Sequence, residues 1–254
     1  MNGFSPDELA RFQRDGFAVV RGLADRGRCE RLKAVARRHL EQEISPLEFE
    51  AQVKYPGAPA SLDAPGGRTV RRLLQACARD PLFREWATGA PLAGRLRQLL
   101  GEAVELSQAH HNCVMTKHPA FSSATGWHQD IRYWRFERPE LVSAWLALGP
   151  EHEENGCLWL VPGSHRLAFG AKQYDDALFL RAEHDETRRL LEHKVAAELD
   201  EGDVLFFHCR TLHAAGANRT DLTKFAAVFT YHAADNRPLP GTRSAALPDI
   251  PLVG

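Results

Sequence analysis

Apolar residues follow two spacings along the chain, and the change comes near residue 104. Before that point, Leu32, Val35, Ala36 and Leu40 recur at intervals of three or four residues. This spacing predicts an amphipathic helix, and Asp25 is a suitable residue to cap its start. Residues 81–100 show the same texture and predict another helical stretch. The first third of the chain is therefore expected to be largely helical.

The N-terminal segment carries its own helix signals. Ser5, Pro6 and Glu8 stand where a capping box and a first-turn proline belong, and Gly16 marks the predicted end of the helix. Residues 17–20 are apolar and predict a short strand. Residues 55–67 are rich in Pro, Gly and Ala and predict a loop.

After residue 104 the apolar segments become short and are separated by turn residues. The candidate strands are residues 104–115, 143–148, 158–161, 204–208 and 225–231. Several short strands after a helical third predict a mainly β fold with flanking helices. We expect one domain over residues 1–254, with residues 1–103 as a helical flank and residues 104–235 as a barrel core. Charged residues crowd residues 169–191, which predicts either a solvated excursion or a lid over a pocket.

The gross composition indicates an ordinary soluble protein. The 254 residues are 44% hydrophobic and 26% charged, with a net charge of −1. This balance gives no indication of a nucleic-acid or membrane partner, and no apolar run approaches the length of a membrane span. The N-terminus lacks the features of a signal peptide. The five scattered cysteines include no Cys-x-x-Cys pair, which favours free thiols and a cytoplasmic location. The sequence leaves the oligomeric state open.

The most informative feature is the triplet His128-Gln129-Asp130. Two residues that are two apart on an extended segment project from the same face. A second histidine from a distant strand would complete a set of two His and one carboxylate, which leaves coordination positions open in non-haem Fe(II) oxygenases. An isolated His-x-Asp triplet is weak evidence, so its context decides.

That context resembles a known family. The triplet lies within the segment 126–134, and the later motifs are Asn155-Gly156-Cys157-Leu158, Pro162-Gly163-Ser164-His165, the segment 202–208, and the segment from His213 to Asn218. In this order they resemble the phytanoyl-CoA dioxygenase family of Fe(II)- and 2-oxoglutarate-dependent oxygenases, over most of the chain. The resemblance implies a double-stranded β-helix, a jelly-roll variant of cupin-like type.

The resemblance also implies the metal ligands. His128 and Asp130 take the first two positions, and His213 rather than His208 takes the third. His165 matches a family position that is not a ligand, and neither His110 nor His111 is expected to be one. The implied cofactors are Fe(II), 2-oxoglutarate and O2, although the same ligands accept other divalent ions.

The resemblance places the co-substrate residues as well. The family usually has an Arg eleven residues after the distal His, and this chain has Lys224 there. Lysine supplies the charge without the bidentate fork of a guanidinium. Lys117 and Trp145 match positions that line the co-substrate pocket, and Arg219 is a competing anchor on a loop.

The implied activity is hydroxylation of a small-molecule substrate with release of succinate and CO2. Asp130 argues against the radical halogenases of the superfamily, which have Ala or Gly at this position. Tyr133 and Trp134 are candidate pocket walls, and Arg132 or Arg135 could bind an acidic substrate group. The alternatives are a degenerate metal- or ligand-binding β-barrel, supported by the departure at Lys224, and a metal-dependent hydrolase or isomerase on a similar barrel.

Overall fold

The computed structural model describes residues 3–53, 55 and 57–252. Within them, the helices are α1 (Pro6–Asp15), α2 (Arg26–Glu41), α3 (Glu50–Val53), α4 (Ala76–Arg79), α5 (Pro81–Thr88), α6 (Ala90–Leu100) and α7 (Asp185–Leu191). The strands are β1 (Phe17–Val20), β2 (Leu47–Phe49), β3 (Val70–Leu74), β4 (Val104–Leu106), β5 (Asn112–Lys117), β6 (Thr125–His128), β7 (Leu141–Ala147), β8 (Leu158–Leu160), β9 (Val195–Ala196), β10 (Val204–His208), β11 (His213–Ala215), β12 (Lys224–Ala233) and β13 (Ile250–Pro251).

The strands form two antiparallel sheets. The larger has nine strands, with the path β1-β10-β7-β12-β5-β3-β2 and with β4 bridging β12 and β13. The smaller has four strands in the order β6-β11-β8-β9. The sheets face each other without closing into a barrel. The predicted mainly β fold with outer helices is confirmed.

Strand alternation divides the large sheet into two faces. On β12, Phe225, Ala227 and Phe229 pack with the helices in one hydrophobic cluster. Ala226 and Val228 face the small sheet in a second cluster. The helices therefore cover the outer face of the large sheet, and the inner face is free to build a site.

The local signals at the N-terminus have the predicted effect. The backbone N–H of Ser5 donates to Glu8 Oε2 at 2.8 Å, and the N–H of Glu8 donates to Ser5 Oγ at 3.3 Å. Gly16 ends α1 with φ of +83°, a conformation that suits glycine. Asp25 caps α2 by accepting from the N–H of Arg28 at 2.9 Å.

Two segments differ in detail from the prediction. The expected helix over residues 81–100 is two helices, because Gly89 is extended and Pro91 in the first turn of α6 has no N–H to continue α5. The expected strand over residues 104–115 is two strands, β4 and β5. Three strands that precede residue 104 also join the large sheet, so the flank contributes to the sheet as well as to the helical layer. The division into one domain with flank and core stays a prediction.

Among the described helices, none combines the length and the apolar character needed to span a bilayer.

Candidate metal centre and co-substrate pocket

Two neighbouring strands of the small sheet bring the predicted metal ligands together. His128 ends β6 and lies directly opposite His213, which begins β11. Gln129 keeps the chain extended, so Asp130 returns to the same side as His128. Asp130 opens a short 3-10 turn, and the N–H of Ile131 in that turn donates to the carbonyl of Cys209 at 3.0 Å. The sequence spacing and the strand register thus act together.

The three side chains form a compact set of donors. His128 Nε2 and His213 Nε2 lie 3.7 Å and 3.8 Å from Asp130 Oδ1. The ligand atoms of the three residues all lie within 4.8 Å of one another. His128 Nδ1 donates to the carbonyl of Gly126 at 2.8 Å, and His213 Nδ1 donates to that of Thr211 at 3.0 Å. These bonds fix the tautomer that leaves both Nε2 lone pairs directed at the centre.

The electrostatics of this triad (His128, Asp130 and His213) also fit a bound cation. Burial, with the neighbouring His213, holds the pKa of His128 well below its ordinary value. Burial raises the pKa of Asp130, and the electrostatic influence of His213 and Arg72 opposes that rise. Asp130 Oδ2 is buried and has no hydrogen-bond partner among the described residues. A divalent ion would bind this carboxylate in its ionised form and would bind both imidazoles in their neutral form.

His208, His165, His110 and His111 are not part of the cluster formed by the triad. His208 Nδ1 accepts from the N–H of Arg210 at 3.1 Å. His165 lies beside His208, with ring centroids 5.7 Å apart and the ring planes tilted by 52°. On a strand that ran through both residues, His110 and His111 would face opposite sides, but both line the cavity. The alternation does not apply because β5 begins only at Asn112.

Lys224 is buried in the cavity wall and is already paired. Its Nζ donates to Glu151 Oε2 at 2.6 Å, and the two side chains are 4% and 1% exposed. The Trp145 indole N–H donates to the other oxygen of Glu151 at 2.7 Å, and Lys224 Nζ lies 5.4 Å from the centre of that ring. Glu151 therefore orients both residues that the resemblance places against the co-substrate.

Lys117 lies opposite Lys224 in the register of β5 and β12. Its Nζ donates to the carbonyls of Gly216 at 2.5 Å and Ser123 at 3.2 Å. Burial, reinforced by Arg71 and Lys224, lowers the pKa of Lys117 to about 7. Among the described residues, no carboxylate lies within 4.0 Å of Lys117, in contrast to Lys224.

The structure does not bring Arg219 to this pocket. Its side chain is exposed and is not part of the cavity lining. The adjacent Asn218 has a structural contact instead, since its amide donates to the carbonyl of Lys117 at 2.9 Å. The competing anchor is thus disfavoured by its position on a surface loop.

One cavity of about 250 Å³ contains the triad, Lys117 and Lys224. Along β5, Cys113, Met115 and Lys117 line it at the spacing of two expected for a strand, together with Thr116 near the strand end. Tyr133 and Trp134 line it too, as the sequence suggested. Phe207 and Trp145 close the inner side.

The arginines of the cavity are not those expected from sequence. Arg132 and Arg135 are absent from the lining, whereas Arg72 on β3 is part of it. Arg72 Nε lies 3.3 Å from Glu48 Oε1, and among the described residues this Nε has no hydrogen-bond partner. The alternation of β3 could have suggested an inward residue here, but the pairing of β3 with β5 could not be read from the chain.

The charged excursion of residues 169–191 covers the triad. Phe179 is buried, and its ring centroid lies 5.8 Å from that of His128 and 5.0 Å from that of Tyr55. The N–H of Leu180 donates to the carbonyl of Trp127 at 2.6 Å. The hydroxyl of Tyr133 donates to the carbonyl of Ala177 at 2.6 Å. The segment that looked like a solvated face has an apolar underside on the site.

Comparison with known proteins agrees with this geometry. A family model described as Phytanoyl-CoA dioxygenase (PhyH) matches residues 12–226, which include the whole triad. The protein belongs to the phytanoyl-CoA dioxygenase family. An ectoine dioxygenase of Halomonas elongata is 30% identical over 250 residues, which cover 92% of this chain and 71% of that protein. The peroxisomal phytanoyl-CoA dioxygenase of Homo sapiens is 24% identical over 219 residues, covering 82% and 62%.

Several solved structures share the fold. The epimerase SnoN, in complex with Fe3+, alpha ketoglutarate and nogalamycin RO, has a TM-score of 0.73 and 27% identity, covering 98% of this chain and 95% of SnoN. EctD of S. alaskensis with 2-oxoglutarate and 5-hydroxyectoine has a TM-score of 0.78 and 22% identity, covering 93% and 78%. The predicted family, the class of 2-oxoglutarate-dependent dioxygenases and the predicted cofactors are confirmed at this level.

Proposed function

We propose that the protein hydroxylates a small-molecule substrate in a reaction that consumes 2-oxoglutarate and O2 and releases succinate and CO2. The observation that carries the proposal is the buried triad His128, Asp130 and His213, with both Nε2 atoms directed at one point. This donor set fits Fe(II) and leaves positions for a chelating co-substrate and O2. Bound iron would supply the oxidising chemistry, and the protein supplies ligation, orientation and exclusion of water.

Lys117 and Lys224 would hold the far carboxylate of 2-oxoglutarate. β11 begins at His213 and ends at Ala215, directly before Gly216, whose carbonyl accepts from Lys117, and three extended residues span about 10 Å. The lysine end is therefore near enough to the triad for one short dicarboxylate to reach both. When Lys117 is protonated, Lys117, Lys224 and Glu151 have a formal net charge of +1, which one carboxylate would balance.

The opposite part of the cavity would receive the substrate. Tyr133 and Trp134 supply apolar surface beside the triad, and Arg72 offers donors to an acidic or carbonyl oxygen. The relatives are named for ectoine and phytanoyl-CoA, which supports a small-molecule substrate. Phe179 and Tyr133 would keep water from the site during reaction.

One observation favours a second outcome at the same site. SnoN is an epimerase, and it matches nearly the whole chain at 27% identity. Abstraction of a substrate hydrogen and return of a hydrogen to the opposite face would give a product of unchanged mass; the second oxygen atom would then leave as water, at the expense of a separate two-electron reductant. A hydroxylated product would gain one oxygen atom from labelled O2, which separates the two.

The first test is an anaerobic titration of Fe(II) and 2-oxoglutarate, followed by visible absorption and by equilibrium dialysis of the co-substrate. We expect a saturable charge-transfer band in the wild type and neither iron binding nor a band in His128→Ala or Asp130→Ala. Iron retained in both variants would overturn the triad. Iron without co-substrate binding in the wild type would favour the degenerate binding protein instead.

A further inference from the structure

A second cluster of potential ligands lies where the C-terminal segment crosses the end of the large sheet. Glu105 lies on β4, His232 near the end of β12, and Asp249 directly before β13. β4 pairs with both neighbours, so that Glu105 lies opposite His232 on one side and Pro251 on the other. One ligand atom from each of the three side chains lies within 4.8 Å of the other two. None of these residues lines the cavity of the triad.

His232 has the same arrangement as the two histidines of the triad. It is fully buried, and its Nδ1 donates to the carbonyl of Ala233 at 2.9 Å. Its Nε2 has no hydrogen-bond partner among the described residues, although Asp249 Oδ2 lies 3.2 Å away. The carboxylate thus sits beside the nitrogen but off the direction of a hydrogen bond. A metal-ligating histidine typically uses one ring nitrogen for such a backbone bond and the other for the ion.

The two carboxylates lack a basic partner. Within residues 3–53, 55 and 57–252, no Lys or Arg forms an ion pair with Glu105 or Asp249. Asp249 Oδ1 is buried without a hydrogen-bond partner. The neighbouring His110 adds no charge at neutral pH, since burial, with Arg243 and His232, lowers its pKa to about 3. The two carboxylates carry a formal charge of −2, which a divalent cation would balance.

We propose that Glu105, His232 and Asp249 form a second cation site, separate from the triad, that takes Zn²⁺. With bonds of about 2.0–2.1 Å, the edge of a tetrahedron around zinc is about 3.3 Å, close to the 3.2 Å between His232 Nε2 and Asp249 Oδ2. Nitrogen and carboxylate ligands suit zinc. Such sites bind Zn²⁺ more tightly than they bind Mn²⁺, Fe²⁺ or Co²⁺. Water would complete the coordination.

The site would act as a clip on the C-terminal segment. That segment contributes Arg243 to the lining of the cavity, and Ser244 Oγ lies 2.8 Å from His110 Nε2 and accepts from the N–H of Arg135 at 2.9 Å. An ion shared by β4, β12 and the residue before β13 would fix the position of this wall. The proposed role is structural, since none of the three ligands lines the cavity of the triad.

The experiment uses full-length protein from which the triad has been removed by His128→Ala with His213→Ala. After treatment with a chelator, this variant is titrated with Zn²⁺ alone. The zinc that stays bound is measured by inductively coupled plasma mass spectrometry. We expect one equivalent of zinc, with X-ray absorption showing only N and O ligands and one imidazole. Adding Asp249→Asn or Glu105→Gln should abolish that equivalent.

The matched control is Asp235→Asn in the same background. Asp235 is an exposed carboxylate that follows β12 and bonds to Arg138, so zinc binding should be retained. Circular dichroism confirms that each variant is folded, and Asp249 and Glu105 are chosen because neither is as buried as His232. Absence of zinc from the triad-less protein, or its retention in Asp249→Asn, would overturn the proposal. The result is independent of the oxygenase activity, because the protein tested lacks the triad.

Discussion

Lys224 and Glu151 form a buried ion pair at the position where the family usually has an arginine. Both Glu151 oxygens are used, one by Lys224 and one by Trp145. The departure from arginine is thus accompanied by a carboxylate that fixes the lysine. Removing one partner of such a pair leaves an uncompensated buried charge, which is far more costly than removing both.

We predict that Lys224→Met lowers the free energy of unfolding by about 3–5 kcal/mol, because Glu151 is left unpaired. The same change should weaken 2-oxoglutarate binding. Lys224→Met with Glu151→Gln should recover most of the stability without recovering the affinity. Denaturant unfolding and equilibrium dialysis measure the two quantities. Recovery of affinity in the double variant would show that Lys224 is not an anchor.

Lys117 gives the co-substrate site a dependence on pH. The charged groups that face it are Arg71, Lys224, Glu50 and Glu151, and burial together with the two cations lowers its pKa to about 7. As pH rises through this value the free protein loses the ammonium, whereas a bound carboxylate would favour the charged form. Binding above pH 7 therefore requires uptake of a proton.

The dissociation constant of 2-oxoglutarate should consequently rise by roughly tenfold per pH unit above about pH 7, until the pKa of Lys117 in the complex is reached. Calorimetric titration in buffers of different ionisation enthalpy would detect the proton taken up. Lys117→Met should bind more weakly and lose this dependence, while Arg219→Met serves as the exposed control. A flat profile in the wild type would exclude Lys117 as an anchor.

The effect of Lys117 on folding stability has the opposite dependence on pH. The unfolded chain keeps the proton up to the ordinary lysine pKa of 10.5, so this group makes the free energy of unfolding rise with pH between about 7 and 10.5.

At the scale of elements, the excursion over residues 169–191 lies on the triad. Phe179 packs against His128 and Tyr55, and a Cβ at Gly126 would lie only 2.7 Å from the Phe179 ring. This close approach explains why glycine stands two residues before the first ligand. The segment closes one side of the site with apolar surface.

Phe179→Ala should raise consumption of 2-oxoglutarate in the absence of substrate, because water gains access to the site. The dissociation constant of 2-oxoglutarate should stay unchanged, since Lys117 and Lys224 do not contact Phe179. Succinate formation without substrate measures the effect, and Lys172→Ala, an exposed position of the same excursion, is the control. Equal rates in Phe179→Ala and Lys172→Ala would show that the excursion is only a solvated loop.

The elements also show how far the sequence could be interpreted. Local signals sufficed where one segment decides the outcome: the capping box at Ser5, the end of α1 at Gly16 and the extended His128-Gln129-Asp130 triplet. Local signals failed where a contact depends on the pairing of strands that are distant in the sequence. The partner of Lys224 is Glu151, 73 residues away in the chain, and Arg72 reaches the cavity only because β3 pairs with β5. No spacing within one segment encodes either contact.

At the scale of the whole molecule, the large sheet separates stability from chemistry. Its outer face packs with α6 and the other helices in the larger hydrophobic cluster, and its inner face carries Trp145 and Lys224.

Leu96 on α6 is fully buried on the outer side. Leu96→Ala should lower the free energy of unfolding by about 2–5 kcal/mol through lost burial and the cavity left behind. Under conditions where the protein stays folded, the affinity for 2-oxoglutarate should be unchanged. The strands of the large sheet are paired on both sides, so the loss of a side chain on the outer face should shift the inner face very little. Leu222→Ala, at a side chain 79% exposed, should change neither quantity measurably. If Leu96→Ala weakened co-substrate binding while the protein remained folded, the two faces would be coupled, and the helical layer would belong to the active site as well as to the core.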